Sequence, residues 1–277
     1  MGGFCGNERS ERVHTVSADG TVIAYERLGE AAGPPLIVVG GALCDRARMR
    51  PFCEALATHT AVVNYDRRGR GDSGEGDGDD IAREIEDLAA LVDEAGGRAS
   101  IYGHSSGAAL VLHAALRALP FDKVILHDPP FSADGEQQDA ARAYDRELRH
   151  LVAAGRDGDA VALFMRLAGA PAEAVEAMRS EPWFAATAAL GPSLVHDSVA
   201  MGNAERGGAV PRDLITETAL TAPTLVLVGE ANPPFFLEAA GRLAELLPAA
   251  RLQVLAGQSH VIEPDALAPV VADFLAS

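Results

Sequence analysis

The chain has 277 residues, 48% hydrophobic and 23% charged, which is the composition of a globular protein long enough to bury a sizeable core. No apolar run approaches the roughly 18 to 20 residues of a membrane-spanning helix. A formal charge of -17 opposes nucleic acid and anionic membranes as partners, since both call for basic surface, and leaves a small-molecule substrate as the expected ligand.

The opening residues, Met1-Gly2-Gly3-Phe4-Cys5-Gly6-Asn7-Glu8-Arg9, show neither a basic start with an apolar stretch nor an Arg/Ser-rich amphipathic pattern, so no export or transit signal is expected. Gly6 stands where a myristoylation motif needs Ser or Thr. Cys5, Cys44 and Cys53 are odd in number and lack metal-type spacing, which fits reduced thiols in a cytoplasmic protein. Residues 13–17 and 22–27 alternate around Ala18-Asp19-Gly20-Thr21, whose Asp-Gly pair predicts a hairpin. Continuous apolar runs of buried-strand type then recur at residues 36–39, 61–65, 100–103, 123–127, 224–229 and 251–255. Helical patterns separate most of them. The clearest places Ile81, Ile85, Leu88 and Val92 on one face, with Asp79 and Asp80 at the start and Gly96-Gly97 at the end. This alternation predicts an α/β fold with a mostly parallel sheet covered on both faces by helices.

Between about residues 131 and 221 no strand candidate occurs. Four helical pieces are expected there, at residues 136–155, 158–169, 171–180 and 181–202, punctuated by Gly155, Gly158, Gly169-Ala170-Pro171 and Pro182. The expected organisation is a core domain of residues 1–130 and 222–277 with a helical cap at 131–221. Phe164, Met165, Met178, Trp183, Phe184 and Met201 are expected mostly in the cap's own core, one or two facing the cleft. The acidic residues 75–80 lack the glutamate of a Ca²⁺ loop and are expected as a solvated loop.

Gly103-His104-Ser105-Ser106-Gly107 follows the strand-like Ala99-Ser100-Ile101-Tyr102 and opens an apolar, alanine-rich helix. In that strand–turn–helix setting G-x-S-x-G carries a nucleophile: a serine hydroxyl reacts only if a sharp turn holds it beside a base and beside backbone donors for an oxyanion. Ser105 is the candidate. Among eight histidines, His260 follows the last predicted strand and precedes the terminal helix, so its loop opens on the same rim as Ser105 and it is the expected base. His104, next to the nucleophile, cannot bend back to meet it and is expected to pack beneath the turn; His127 falls inside a strand.

The ordered set Val38-Val39-Gly40-Gly41-Ala42, Asp66-Arg67-Arg68-Gly69-Arg70-Gly71-Asp72-Ser73, Gly103-His104-Ser105-Ser106-Gly107 and Gly257-Gln258-Ser259-His260 resembles the α/β-hydrolase fold superfamily. The resemblance covers about residues 13 to 130 and 220 to 277. It implies an eight-stranded sheet, a helical cap inserted after strand 6 and a cleft between them. It also implies an oxyanion hole from the backbone N–H groups of Ser106 and Ala42, with Asp66 and Arg68 bracing loops nearby. Cys44 is expected as a packed thiol near that loop. The acid departs from the common pattern, because Asn232 stands where many relatives carry it. Some relatives place the acid one strand earlier, where this chain has Asp128 before Pro129-Pro130; Glu230, or no acid at all, are the alternatives.

The function these residues imply is a serine hydrolase cleaving a small, largely apolar ester or thioester through an acyl-enzyme on Ser105, with His260 as base, Asp128 orienting it, and no metal or organic cofactor. The alternative is a non-hydrolytic member of the fold: a biosynthetic cyclase, a lyase, a cofactor-free haloperoxidase or perhydrolase, or a ligand-binding protein.

Overall fold

The computed structural model describes residues 12–30, 33–132, 134–218 and 220–277; Cys5 and the opening residues lie outside them. Eight strands form one sheet: β1 (Arg12–Val16), β2 (Val22–Leu28), β3 (Leu36–Val39), β4 (Val62–Tyr65), β5 (Ala99–His104), β6 (Phe121–His127), β7 (Thr224–Gly229) and β8 (Ala250–Leu255). Their spatial order is β1-β2-β4-β3-β5-β6-β7-β8. The Asp-Gly hairpin pairs β1 with β2, and β2 runs antiparallel to β4; β3 to β8 are mutually parallel.

Side chains along β3 explain why its apolar run is unbroken. Leu36 and Val38 face a core shared with α1 (Arg46–Ala57) and α12 (Pro264–Ala276), through Met49, Phe52, Leu56, Val271 and Phe274. Ile37 and Val39 face the opposite core, with α2 (Ile81–Glu94), α3 (Ser106–Leu116) and α11 (Pro234–Leu246). Both faces of the sheet are dry here, so both residues of each alternating pair in β3 are apolar. Every residue of α3 is buried, which accounts for its lack of a polar stripe. In α2 the Asp80 carboxylate accepts the Ala82 N–H at 2.9 Å, capping the helix where the sequence placed its start.

The strand order also fixes where chemistry can occur. The chain passes from β3 outward to β4 and then back across β3 to β5, so the segments leaving the carboxyl ends of β3 and β5 diverge and open a crevice. Parallel pairing sets Val39 beside Gly103 and His104 beside His127.

Among the described residues seven helices lie between β6 and β7: α4 (Gly135–Ala153), α5 (Asp157–Leu167), α6 (Ala172–Arg179), α7 (Phe184–Ala188), α8 (Leu194–Met201), α9 (Asn203–Arg206) and α10 (Arg212–Glu217). The single piece expected at 181–202 is broken into α7 and α8 around Gly191-Pro192, where a Cβ at Gly191 would lie 2.7 Å from the Asp157 carbonyl oxygen. The insertion has a core of its own, with Tyr144, Leu148, Leu151, Val161, Phe184 and Leu194, and Phe164, Met165 and Met178 packed against it. Trp183 differs from expectation: it is 46% exposed. Met201 joins the main core under the sheet's helices instead. Ser132 at the start of the insertion bridges to Ala209 near its end, tying the two crossings together. No helix among the described residues is long and apolar enough to cross a membrane.

Candidate active site

Ser105 follows β5 and stands at the N-cap of α3 with φ 57° and ψ -126°, a conformation strained for any residue with a side chain. Three of the four non-glycine residues with left-handed φ among those described are Leu43, Ser105 and Asp128, and all three follow carboxyl ends of neighbouring strands. The Ser105 N–H is held by the His127 carbonyl at 2.9 Å, which ties the turn to the end of β6. Two glycines make the turn sterically possible through space, not torsion. A Cβ at Gly103 would lie 2.5 Å from the Gly107 carbonyl oxygen, and one at Gly107 would lie 2.6 Å from that of Val39.

The loop after β3 packs directly on the turn. A Cβ at Gly41 would come within 2.9 Å of Ser105 Cβ and 3.0 Å of the His104 carbonyl oxygen, so only glycine lets this backbone approach so near. A Cys44 N–H bond to the Gly41 carbonyl at 3.2 Å closes the loop. Ala42 and Leu43 at its tip pack into the core of the helical insertion. Ser106 is the first residue of α3, where the N–H has no intrahelical acceptor and the helix dipole favours negative charge. Burial pushes the Cys44 thiol up, as fits a packed cysteine.

His260 and Asp128 meet from opposite sides of β7: His260 Nδ1 lies 3.1 Å from Asp128 Oδ2. The other carboxylate oxygen, Oδ1, accepts the Gly229 N–H at 3.0 Å. Burial opposes the charged form of Asp128, but the His260 hydrogen bond, the neighbouring His127, the Asn232 amide and the Gly229 N–H together hold its carboxyl down at about 2. Asn232 is buried and faces the carboxylate, although its amide falls outside strict hydrogen-bond geometry with it. The two candidate positions for the acid are therefore neighbours in space. Glu230, by contrast, is exposed and accepts the Gly257 N–H.

Behind Asp128 lies a second histidine. The Tyr102 hydroxyl sits 2.6 Å from His127 Nδ1, and burial keeps that phenol protonated, so it donates. Burial also lowers His127 to about 4, so its neutral ring carries the proton on Nε2, which faces Asp128 Oδ2 at 3.7 Å. His104 packs under the turn as expected. Its ring lies 4.6 Å from that of His260, centroid to centroid, and its Nε2 is 3.1 Å from the His260 carbonyl oxygen. Because His104 immediately precedes Ser105, this stack carries His260 to the nucleophile turn. Phe236 covers the ring of His260 with a centroid separation of 4.9 Å. His104, Asp128 and His260 present potential metal-ligating atoms within 4.8 Å of one another. Asp128 and His260 already bond each other, and His104 Nε2 bonds the His260 carbonyl.

Of the two charged residues expected to brace loops near the site, Asp66 does so and Arg68 faces elsewhere. Asp66 accepts the Arg46 N–H at 2.7 Å and the Asp72 N–H at 2.9 Å, bracing its own loop. Arg68 turns away, paired with Asp87 and Asp19 against α2 and the hairpin. The arginines that reach the site are Arg67 and Arg70. Arg67 grips Glu84 with two bonds of 2.7 and 2.8 Å, and its Nη1 donates to the Gly40 carbonyl and to Asp197. Arg70 donates to the Gly41 carbonyl at 2.6 Å and to both Asp197 oxygens at 2.8 Å. Asp197 belongs to α8, and it also accepts the Ser106 hydroxyl at 2.7 Å. Sequence reasoning missed Asp197. Its only local signal is a carboxylate in a short helix, Leu194-Val195-His196-Asp197-Ser198-Val199-Ala200-Met201, that is apolar at both ends.

The chain belongs to the alpha/beta hydrolase family, whose pattern matches residues 36–272, as the four ordered motifs led one to expect. Among solved structures it is similar to an alpha/beta hydrolase from Sphaerobacter thermophilus, 40% identical over 95% of this chain and 100% of that one, with a TM-score of 0.83. It shares its fold with an enol-lactonase from Burkholderia xenovorans, at 22% identity over 96% of this chain and 100% of that one and a TM-score of 0.70. A thermophilic esterase from Thermogutta terrifontis is similar at 24% identity over 96% of this chain and 97% of that one, with a TM-score of 0.67. No curated protein sequence matches the chain. Family and neighbours together support a hydrolase.

Proposed function

We propose that the protein is a serine hydrolase that cleaves a small, largely apolar ester or thioester through an acyl-enzyme on Ser105. The observation that carries this is the Asp128–His260 pair at 3.1 Å, whose imidazole stacks on His104, the residue before a strained serine. His260 takes the Ser105 proton as the hydroxyl attacks the carbonyl carbon, then delivers it to the departing alcohol or thiol. Asp128 keeps Nδ1 protonated and stabilises the imidazolium that forms between those steps. The N–H groups of Ala42 and Ser106 face the developing oxyanion. Water then attacks the acyl group with His260 again as base, releasing the acid and free Ser105.

The helices between β6 and β7 act as a cap over this rim. Phe236 on the His260 ring favours an apolar acyl or alcohol group. The molecule is proposed to work in the cytoplasm on a small-molecule substrate, with neither nucleic acid nor membrane as partner, in keeping with its charge of -17.

The test is hydrolysis of p-nitrophenyl esters of graded chain length under pre-steady-state conditions. A burst of about one p-nitrophenol per active site, lost in Ser105→Ala, is the expected result. Turnover that survives Ser105→Ala would remove the acyl-enzyme from consideration. A folded protein inert to the whole series would favour a lyase, cyclase or binding role.

A further inference from the structure

We propose that Asp197, on α8 of the helical insertion, is a positioning residue for the oxyanion hole, holding both of its backbone N–H donors in place across the boundary between insertion and sheet. The inference rests on Ser105 being the nucleophile and adds the part of the molecule that shapes its surroundings. One carboxylate oxygen, Asp197 Oδ1, accepts three hydrogen bonds of 2.7 to 2.8 Å, from Arg67, Arg70 and the Ser106 hydroxyl. The two arginines extend past Asp197 to the carbonyls of Gly40 and Gly41, immediately before Ala42. Ser106 carries the other donor. A single side chain thus fastens the loop that presents one N–H and the helix turn that presents the second.

Energetics favour a positioning role over a simple staple. All four groups are buried, and removing one partner from such a cluster leaves the others charged and desolvated, free to re-pair only by moving. With Glu84 the cluster holds two guanidinium groups and two carboxylates, so Asp197 brings no net negative field to a site that must stabilise an oxyanion. Arg70 and Arg67 offset the burial that would otherwise protonate Asp197, and its carboxyl stays below the usual range. Oxyanion donors act only within narrow geometric limits, so a small drift of the 40–43 loop should reduce transition-state stabilisation more than substrate binding.

Asp197→Asn removes the charge at constant size, and Ser106→Ala removes one of the bonds while retaining the Ser106 backbone N–H. With a p-nitrophenyl ester, Asp197→Asn should lower kcat by about 10- to 100-fold with KM changed by less than about threefold, and Ser106→Ala should lower kcat by roughly three- to tenfold. The second-order rate of Ser105 labelling by a fluorophosphonate should fall in step, because phosphonylation uses the same donors. Asp87→Asn is the control. It breaks an equally buried arginine pair, with Arg68, that touches neither loop, and should lower the melting temperature while leaving kcat per labelled serine unchanged. Folded Asp197→Asn with wild-type kcat and labelling rate would overturn the proposal. If that variant does not fold, Ser106→Ala decides: an unchanged kcat overturns it, and a reduced kcat at unchanged KM supports it. Failure of the hydrolase reading itself would show separately, as turnover or labelling that persists in Ser105→Ala.

Discussion

At Asp128 the backbone adopts φ 49° so that one carboxylate oxygen meets Gly229 and the other His260. That aim, together with a carboxyl held at about 2, supports Asp128 as the group proposed to orient the base, with Asn232 a neutral neighbour. Asp128→Asn should reduce ester turnover by about 10³- to 10⁴-fold, through loss of the Nδ1-protonated tautomer, whereas Asn232→Ala should change it by less than about fivefold. Steady-state kinetics of the two variants side by side check this; small, equal effects would exclude Asp128. Gly41 supplies a second prediction at this scale. Because an added methyl would press on Ser105 Cβ at 2.9 Å, Gly41→Ala should fold but lose at least about 100-fold in kcat, measured with the same ester. The segments expected to converge on the site were legible in the sequence, whereas their contacts were legible only within a single segment. Ser105, His104 and the two glycines of the turn are one segment. The sequence favours Asp128 over Asn232 and Glu230 from its place after β6, one strand before the other two, but that its carboxylate meets His260 while Glu230 turns to solvent is visible only in the fold.

Elements that follow from local pattern were readable: the hairpin from Asp-Gly, the parallel strands from unbroken apolar runs, α2 from its stripe and its Asp80 cap. Elements of the insertion were less so. The helices α9 and α10 run four and six residues, too short for a periodic signal, and the α7–α8 break depends on Gly191 meeting the Asp157 carbonyl from another helix. The Arg67–Asp197 and Arg70–Asp197 pairs join residues 130 and 127 positions apart, so no window on the sequence contains both partners. Leu43 links the two halves in the same long-range way, reaching from the 40–43 loop into the insertion's core. Leu43→Ala should cost about 2 to 4 kcal/mol of stability by opening a cavity there. Urea unfolding measures it, and an unchanged midpoint would contradict the packing described.

Over the whole molecule, buried ionisable groups make stability depend on pH in a defined direction. Burial, reinforced at His113 by Arg206 and Arg117, lowers His113 to about 3 and His127 to about 4, against an ordinary value of 6.5. As pH falls below 6.5 the unfolded chain binds protons that the folded chain refuses, so stability declines from there toward pH 4, by on the order of 3 kcal/mol for each histidine. Asp128 acts at lower pH: its stabilisation is present above the unfolded value of 3.8 and is lost as pH drops toward 2. Thermal melts across this range should show the melting temperature falling between about pH 6.5 and 4.5, ahead of carboxylate titration. A flat profile there would mean that the two histidines are not buried neutral.

The proposed function requires Ser105 to be a nucleophile served by His260. Intact-mass analysis after exposure to a fluorophosphonate reads that in one step. One adduct per chain, mapped to Ser105, absent in Ser105→Ala and slowed by about 10³-fold or more in His260→Ala, is the predicted result. A folded wild-type chain that takes up no adduct, or one modified at another residue, would contradict it.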